Sequence, residues 1–174
     1  MDVTDILLDK TLMIKINLKK ILINSIIFLV IFLVDRLSKI YILKIAELEN
    51  TVDIYVTQYL NFYLIWNKGI AFGLFSFNES FIYNVISFII GVITIIILII
   101  IIKSEGFKKY YFLLIFGGSV GNLFDRIYYN AVPDFIDVHI NDHHWFIFNV
   151  ADIFITVAVI CLIFDEIFID SKKK

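Results

Sequence analysis

Cysteine is all but missing from the chain: the single Cys161 excludes an internal disulfide. It lies within an apolar run, where a thiolate is disfavoured, so it makes a poor nucleophile. Charge is scarce as well, at 18% of 174 residues against 60% hydrophobic, and the mean hydropathy is +0.90. A soluble domain of this length needs more polar surface than that. Lysine and arginine are absent from residues 128–145, and residues 45–80 hold only Lys68. No small-residue A-x-A site follows the first apolar run, which leads instead into "DRLSK". That run therefore reads as a retained helix rather than a cleaved signal peptide. No internal repeat is visible, and a net charge of −2 gives no reason to expect a nucleic-acid partner.

Long apolar stretches take the place of these missing features. Crossing a hydrocarbon core takes roughly 20 apolar residues, and helices satisfy their own backbone there. Residues 81–102 carry no charge; 110–124 are uncharged and continue through Asp125 and Arg126; 146–164 carry only Asp152; and 21–34 continue through "DRLSKIYIL". The expected fold is an all-α membrane protein, one domain over 1–174, with four transmembrane helices at about 21–43, 81–102, 108–130 and 147–166. Lys10, Lys15, Lys19 and Lys20 precede the first span, Lys103, Lys108 and Lys109 lie between the second and third, and Lys172, Lys173 and Lys174 close the chain. The positive-inside rule then puts both termini in the cytoplasm and the loops at about 45–80 and 131–146 outside. Residues 1–20 form a cytoplasmic tail, either amphipathic at the surface or a loose leader. Between the first two helices, "TVDIYVTQYLNFYLIW" alternates polar with β-branched and aromatic residues. It predicts a small extracytoplasmic β-element, punctuated by "NKG" at 67–69.

With that topology, the charged and amide residues of the spans gather at one level. Asp35, Ser38 and Lys39 sit toward the outer end of the first helix, Asn122, Asp125 and Arg126 on the third, and Asn149, Asp152 and Thr156 on the fourth. Spacings of three and four place each set on one helical face. An intramembrane charge costs roughly 2.5–3.5 kcal/mol on insertion scales, so such groups face one another or a wet cavity. Helix-locking ion pairs are one reading. Acids, however, outnumber cations once Asp134 and Asp137 are counted, and surplus carboxylates suggest proton chemistry. Other motifs are weaker. Ser119 in "GGSVG" lacks a strand–turn–helix setting, and Gly117 and Gly121 are better read as a helix-packing pair. Ser38 and Lys39, adjacent on a helix, point apart. His139, His143 and His144 could take a metal with Asp142, but no helical H-E-x-x-H supports it, and no metal or cofactor is expected.

Five blocks in order, "DRLSK" at 35–39, "NKGIAFGLF" at 67–75, "GGSVGNLFDR" at 117–126, "VPDFID" at 132–137 and "FNVAD" at 148–152, resemble the lipoprotein signal peptidases, or signal peptidase II. The resemblance implies an aspartic endopeptidase of the bacterial cytoplasmic (inner) membrane, with its site at the extracytoplasmic face. Such enzymes remove signal peptides from diacylglyceryl-modified prolipoproteins before the lipidated cysteine. It implies Asp134 and Asp152 as the catalytic pair, and Asn67, Gly69, Asn122, Arg126, Asn149, Asp35 and Lys39 as residues binding substrate or lining the site. Asp125 is implied as a structural partner that tethers Arg126 or the adjacent backbone. The expected partners are prolipoprotein and membrane lipid, with the chain a monomer. Two features depart from the family pattern: Pro133 directly before Asp134, and an N-terminal extension of about a dozen residues. The chemistry fits two close carboxylates sharing one proton, one activating water and the other serving as acid. A small transporter or proton relay is the competing reading, but conduction needs polar groups across the full membrane thickness.

Overall fold

The computed structural model describes residues 3–69, 80–141 and 143–169. Residues 70–75 of the "NKGIAFGLF" block, Asp142 and Lys172–Lys174 lie outside the described residues. The element order is α1 (Val3–Glu49), β1 (Asp53–Thr57), β2 (Leu60–Asn67), α2 (Ser80–Lys103), α3 (Lys108–Tyr129), β3 (Val132–Ile140), β4 (His143–Phe148) and α4 (Val150–Phe164), followed by a π-helical turn at Asp165–Ile169.

α1 runs unbroken for 47 residues and takes in the stretch expected to be a separate tail. No glycine or proline interrupts residues 3–49, so nothing in the sequence stops helix propagation before Asn50. Asn50 itself adopts a left-handed φ of 62°, as helix-ending asparagines do. Two helices are long and apolar enough to cross a membrane by length and composition, Leu18–Glu49 and Phe81–Lys103. Their flanks leave large apolar side chains uncovered, among them Leu37, Tyr41, Phe81, Phe88 and Ile102. An apolar surface that broad suits lipid better than water.

Helices dominate as expected, and the expected β-element is part of a larger sheet. The β-element between α1 and α2 is a hairpin, β1–β2, turning at Gln58–Tyr59. A second hairpin, β3–β4, forms in the stretch expected to be a plain loop and extends the first into a four-stranded antiparallel sheet of order β1-β2-β3-β4. The period-2 alternation of "VPDFIDVHI" is obscured in the sequence by Pro133 and by three titratable residues. Pro133 lies at the strand's second position, opposite Trp66, close to the strand start where a missing N–H is tolerated. Asn141, at φ 50°, supplies the left-handed residue of the β3–β4 turn.

The sheet rests on the C-terminal half of α1. Ile42, Val52 and Phe135 are buried together, with Ile45, Ala46, Phe62 and Leu64 packed around them. α3 packs against α1, α2 and α4. Its glycines make this possible: a Cβ on Gly117 would lie 2.7 Å from Ile31, and one on Gly118 would lie 2.7 Å from the Ala151 carbonyl. A Cβ on Gly121 would collide with the Asp35 carboxylate. "GGSVG" is thus a packing motif that brings α1 and α4 against one helix.

Candidate active site

Two polar groups of different character meet where α1, α3, α4 and the sheet converge. The first is a buried ion cluster. Lys39, fully buried on α1, donates to Asp35 at 3.0 Å, to Asp125 at 2.7 Å and to the Asn122 carbonyl at 2.8 Å. Arg36 forms an ion pair with Asp125 at 2.5 Å, at angles outside those of a hydrogen bond, and stacks over Phe124 at 4.9 Å. Two cations therefore meet two carboxylates, which is how buried charges are tolerated. Asp35 also accepts the Ala151 backbone N–H at 3.0 Å, tying the start of α4 to α1.

Asp125, expected to tether Arg126 or the adjacent backbone, instead meets Lys39 and Arg36 of α1. A helical residue and its immediate neighbour point about 100° apart. Asp125 faces α1, and Arg126 faces the cavity described below. Arg36, which was assigned no role from the sequence, is the partner that was missed. The surplus of acid near "NLFDR" was the only signal that could have found it.

The second group is a pair of carboxylates joined by one asparagine. Asn149 caps α4: its side-chain oxygen accepts from the Asp152 N–H at 3.2 Å, and its own N–H donates to Asp152 Oδ2 at 3.2 Å. This reciprocal capping box fixes Asp152 in the first turn of the helix, a position where a carboxylate's charge is well accommodated. The Asn149 amide then reaches across to the sheet and donates to Asp134 Oδ1 at 2.6 Å, while Asn67 donates to Asp134 Oδ2 at 2.8 Å. Asn122 completes the set, donating to Asp152 Oδ1 at 2.9 Å. Asn122 thereby links the Lys39 cluster to Asp152.

Asp134, Asp152, Asn67, Asn122, Asn149 and Arg126 all line one cavity of ≈ 180 Å³, walled on its apolar side by Ile90, Ile93 and Ile155. Burial pushes the Asp134 carboxyl up to about 7, and the neighbouring Asp152 charge adds to the rise. The hydrogen bonds from Asn149 and Asn67 and the Lys39 charge oppose it. Arg126 donates through Nη2 to the Gly69 carbonyl, and its ring neighbour Tyr83 donates to the Arg126 carbonyl at 3.1 Å. Arg126 Nε and Nη1 are buried without hydrogen-bond partners among the described residues. Buried donors of this kind need an acceptor, and here they border the cavity. Gly69 is held in turn by its N–H donating to Asn67 Oδ1 at 2.8 Å.

The residues expected at the site thus divide in two. Asp134, Asp152, Asn67, Asn122, Arg126 and Asn149 reach the cavity, with Gly69 fastened beside it. Asp35 and Lys39 lie behind it, fully buried in the ion cluster. Asp35 and Asp125 are paired there with Arg36 and Lys39, so the acid surplus seen in the sequence divides between the two carboxylates that face the cavity and Asp137 on the sheet. Ser119 also borders the cavity, but among the described residues no histidine or lysine lines that cavity. The Ser38 hydroxyl is committed to the Asp35 carbonyl at 2.8 Å, which removes it as a Ser/Lys nucleophile. Asp137, His139 and His144 gather elsewhere on the sheet, within 4.8 Å of one another through their ligand atoms. The sequence had grouped the histidines with Asp142 instead.

Comparison with known proteins gives a consistent result. The protein-family profile described as "Signal peptidase (SPase) II" matches residues 27–168. A protein named lipoprotein signal peptidase from Pelagibacter ubique (strain HTCC1062) is 57% identical over 159 residues, 91% of this chain and 96% of that protein. One of the same name from Anaplasma phagocytophilum (strain HZ) is 40% identical over 86% of this chain and 95% of its own length. A solved structure described as a bacterial membrane enzyme superposes with a TM-score of 0.68 at 28% identity, over 87% of this chain and 91% of its own.

Proposed function

We propose, from the premise that this chain belongs to the signal peptidase II family, that Asp134 and Asp152 are the catalytic dyad of its reaction. The enzyme is an aspartic endopeptidase that removes the signal peptide from prolipoproteins. One observation carries the dyad: Asn149 hydrogen-bonds both carboxylates, holding them to a common cavity, while every other acid of the helix cluster is paired with a cation.

The chemistry follows from the environments. Two neighbouring carboxylates resist ionising together, and Asp134, with its carboxyl near 7, is the member that keeps the shared proton. Asp152 takes a proton from a water lodged between them, and the hydroxide formed attacks the scissile carbonyl as Asp134 protonates its oxygen. Collapse of the tetrahedral adduct returns a proton to Asp134 and passes the proton on Asp152 to the leaving amine of the cysteine. Arg126 Nε and Nη1 offer donors to substrate carbonyls beside the dyad, and Asn122 keeps Asp152 aimed. The apolar wall of Ile90, Ile93 and Ile155 receives the apolar part of the signal peptide.

In this reading α3 and α4 cross the membrane with α1 and α2, making four spans at about 21–43, 81–102, 108–130 and 147–166. Both termini are cytoplasmic in the bacterial inner membrane, and the dyad and sheet lie at the extracytoplasmic face. The lysines support it: Lys103, Lys108 and Lys109 bracket the α2–α3 turn, at the end of those helices away from Arg126 and the cavity. The substrate's diacylglyceryl chains stay in the bilayer while its peptide enters the cleft, and one chain suffices for a complete site.

The test is the cleavage rate per folded molecule on a diacylglyceryl-modified prolipoprotein. Asn in place of either acid removes the titrating proton, and general acid–base participation is worth roughly 10²–10⁴-fold per group. Asp134→Asn and Asp152→Asn should each fall by that order. Near-normal cleavage by Asp134→Asn would remove it from the dyad.

A further inference from the structure

We infer that Asp137, His139 and His144 form a binding site for a divalent transition metal of the zinc type on the β3–β4 hairpin. The topology assembles it before any ion arrives. Strand register sets His139 opposite His144, and Asp137 lies two residues back on the same strand. The ligand atoms all fall within 4.8 Å of one another: His144 Nδ1 is 2.8 and 3.0 Å from the two Asp137 oxygens, and His139 Nδ1 is 3.6 Å from Asp137 Oδ2. Ligands held about 2.0–2.2 Å from a tetrahedral Zn²⁺ lie roughly 3.3 Å apart, so a modest rotation of the half-exposed His144 ring would close the set. One carboxylate with two imidazoles is a donor set suited to zinc and its neighbours.

An Asp137–His144 ion pair alone would leave part of this arrangement unexplained. His139 is 8% exposed, yet its Nδ1 has no hydrogen-bond partner among the described residues. Across β2–β3, Asn61 faces Asp137, and its Oδ1 is likewise buried without a partner. A buried lone pair left unmatched costs about 1–3 kcal/mol. His139 Nδ1 lies 3.6 Å from the Asp137 carboxylate, and a cation bound between them would satisfy it. Asp137 follows Asp134 by three residues, so strand alternation directs the two to opposite faces. None of the three ligands lines the catalytic cavity. The ion would clamp the hairpin that runs from Asp134 to Asn149, and its presence does not depend on the dyad assignment.

The test uses the purified full-length protein, stripped of metal and titrated with Co²⁺ and then Zn²⁺ near pH 7.5. The expected result is one Co²⁺ per chain, visible d–d absorption of a tetrahedral site, displacement by Zn²⁺ and a Zn²⁺-dependent rise in Tm. His139→Gln, His144→Gln and Asp137→Asn should each weaken binding about tenfold or more and abolish the Tm rise. Independently of any variant, Zn²⁺ should protect His139 and His144 of the wild-type chain from carbethoxylation, read by peptide mass spectrometry. No saturable binding by the wild type, or binding undiminished in the His139→Gln/His144→Gln double variant, overturns the proposal. Loss of cleavage in the dyad variants would leave either outcome readable.

Discussion

Asp134→Asn should abolish cleavage and at the same time stabilise the protein above neutral pH. The carboxyl moves from 3.8 to about 7 on folding, chiefly through burial. A rise of that kind means the folded state holds a proton that the unfolded chain has already released. The associated stability is fully present below about pH 4, declines as pH rises, and is gone above about pH 7. Three units at 1.36 kcal/mol each amount to roughly 4 kcal/mol. Asparagine is neutral throughout and escapes that loss. It has one carbonyl oxygen, however, where Asp134 accepts from both Asn149 and Asn67. One of those donors faces an NH₂ group instead, which costs about 1–3 kcal/mol. The net gain at pH 8 is therefore about 1–3 kcal/mol, or several degrees of Tm at roughly 2–4 °C per kcal/mol for a chain of this size.

Asp125→Asn supplies the contrast. It leaves Arg36 and Lys39 sharing the single carboxylate of Asp35 in a fully buried cluster. Breaking a buried pair costs about 3–5 kcal/mol, so Tm should fall by roughly 10 °C. The assay is a set of thermal melts of wild type and both variants in detergent at pH 5 and pH 8, beside cleavage rates. The reasoning is refuted if Asp134→Asn melts below wild type at pH 8, or if its margin over wild type is as large at pH 5.

An unmodified prolipoprotein should be cut far more slowly than its diacylglyceryl form, because the cleft lies among apolar helices where acyl chains can remain in lipid; equal rates would contradict this. Ser119→Ala should retain activity, and a chelator should lower Tm through the hairpin site without stopping cleavage; loss of cleavage in either case would point to serine or metal catalysis. Gly121→Ala should destabilise the fold, since its methyl group meets the Asp35 carboxylate that holds both Lys39 and the Ala151 N–H; an unchanged Tm would show that α1 and α3 can separate without cost.

The helices were legible as long apolar runs, but the start of α1 was not, because Lys10, Lys15, Lys19 and Lys20, read as a boundary, lie inside it. The β1–β2 hairpin was legible from alternation. The β3–β4 hairpin was not, because the feature that conceals it is also what places the site: Pro133, Asp134, Asp137 and His139 read as loop residues until the partner strand β2 is in place. Long-range pairing of this kind leaves no local signal. The ion cluster was half visible. Charges at spacings of three and four revealed which faces are polar, but not that Asp125 turns to α1 while Arg126 turns to Gly69. That choice depends on how closely α3 approaches its neighbours, and three glycines set it.

The two proposed catalytic acids belong to different parts of the protein, and this accounts for the buried cluster behind them. Asp152 belongs to the helices. Its position is fixed by Asn122, which is held by Lys39, and by the Asp35–Ala151 bond that ties α4 to α1. Asp134 belongs to the sheet, which is anchored on α1 through Ile42, Val52 and Phe135. α1 is thus the common reference for both acids, and Asn149, at the junction of β4 and α4, is where they are joined. A misplacement of about 1 Å at a reacting centre can cost 10²-fold in rate. A protein bringing its acids from two substructures therefore needs a rigid part to which both are fixed. A paired, buried Lys39 and Arg36 contribute little net stability on their own. Their benefit is directional: the hydrogen bonds from Lys39 to Asn122 and Asp125 hold α3, which carries Asn122 and Arg126 of the site. Replacing Lys39 with methionine should therefore slow cleavage far more than it lowers Tm if Asp125→Asn is introduced with it, since the charges then balance while the aim of Asn122 is lost. A double variant that cleaves like wild type per folded molecule would show that the cluster does not aim the site.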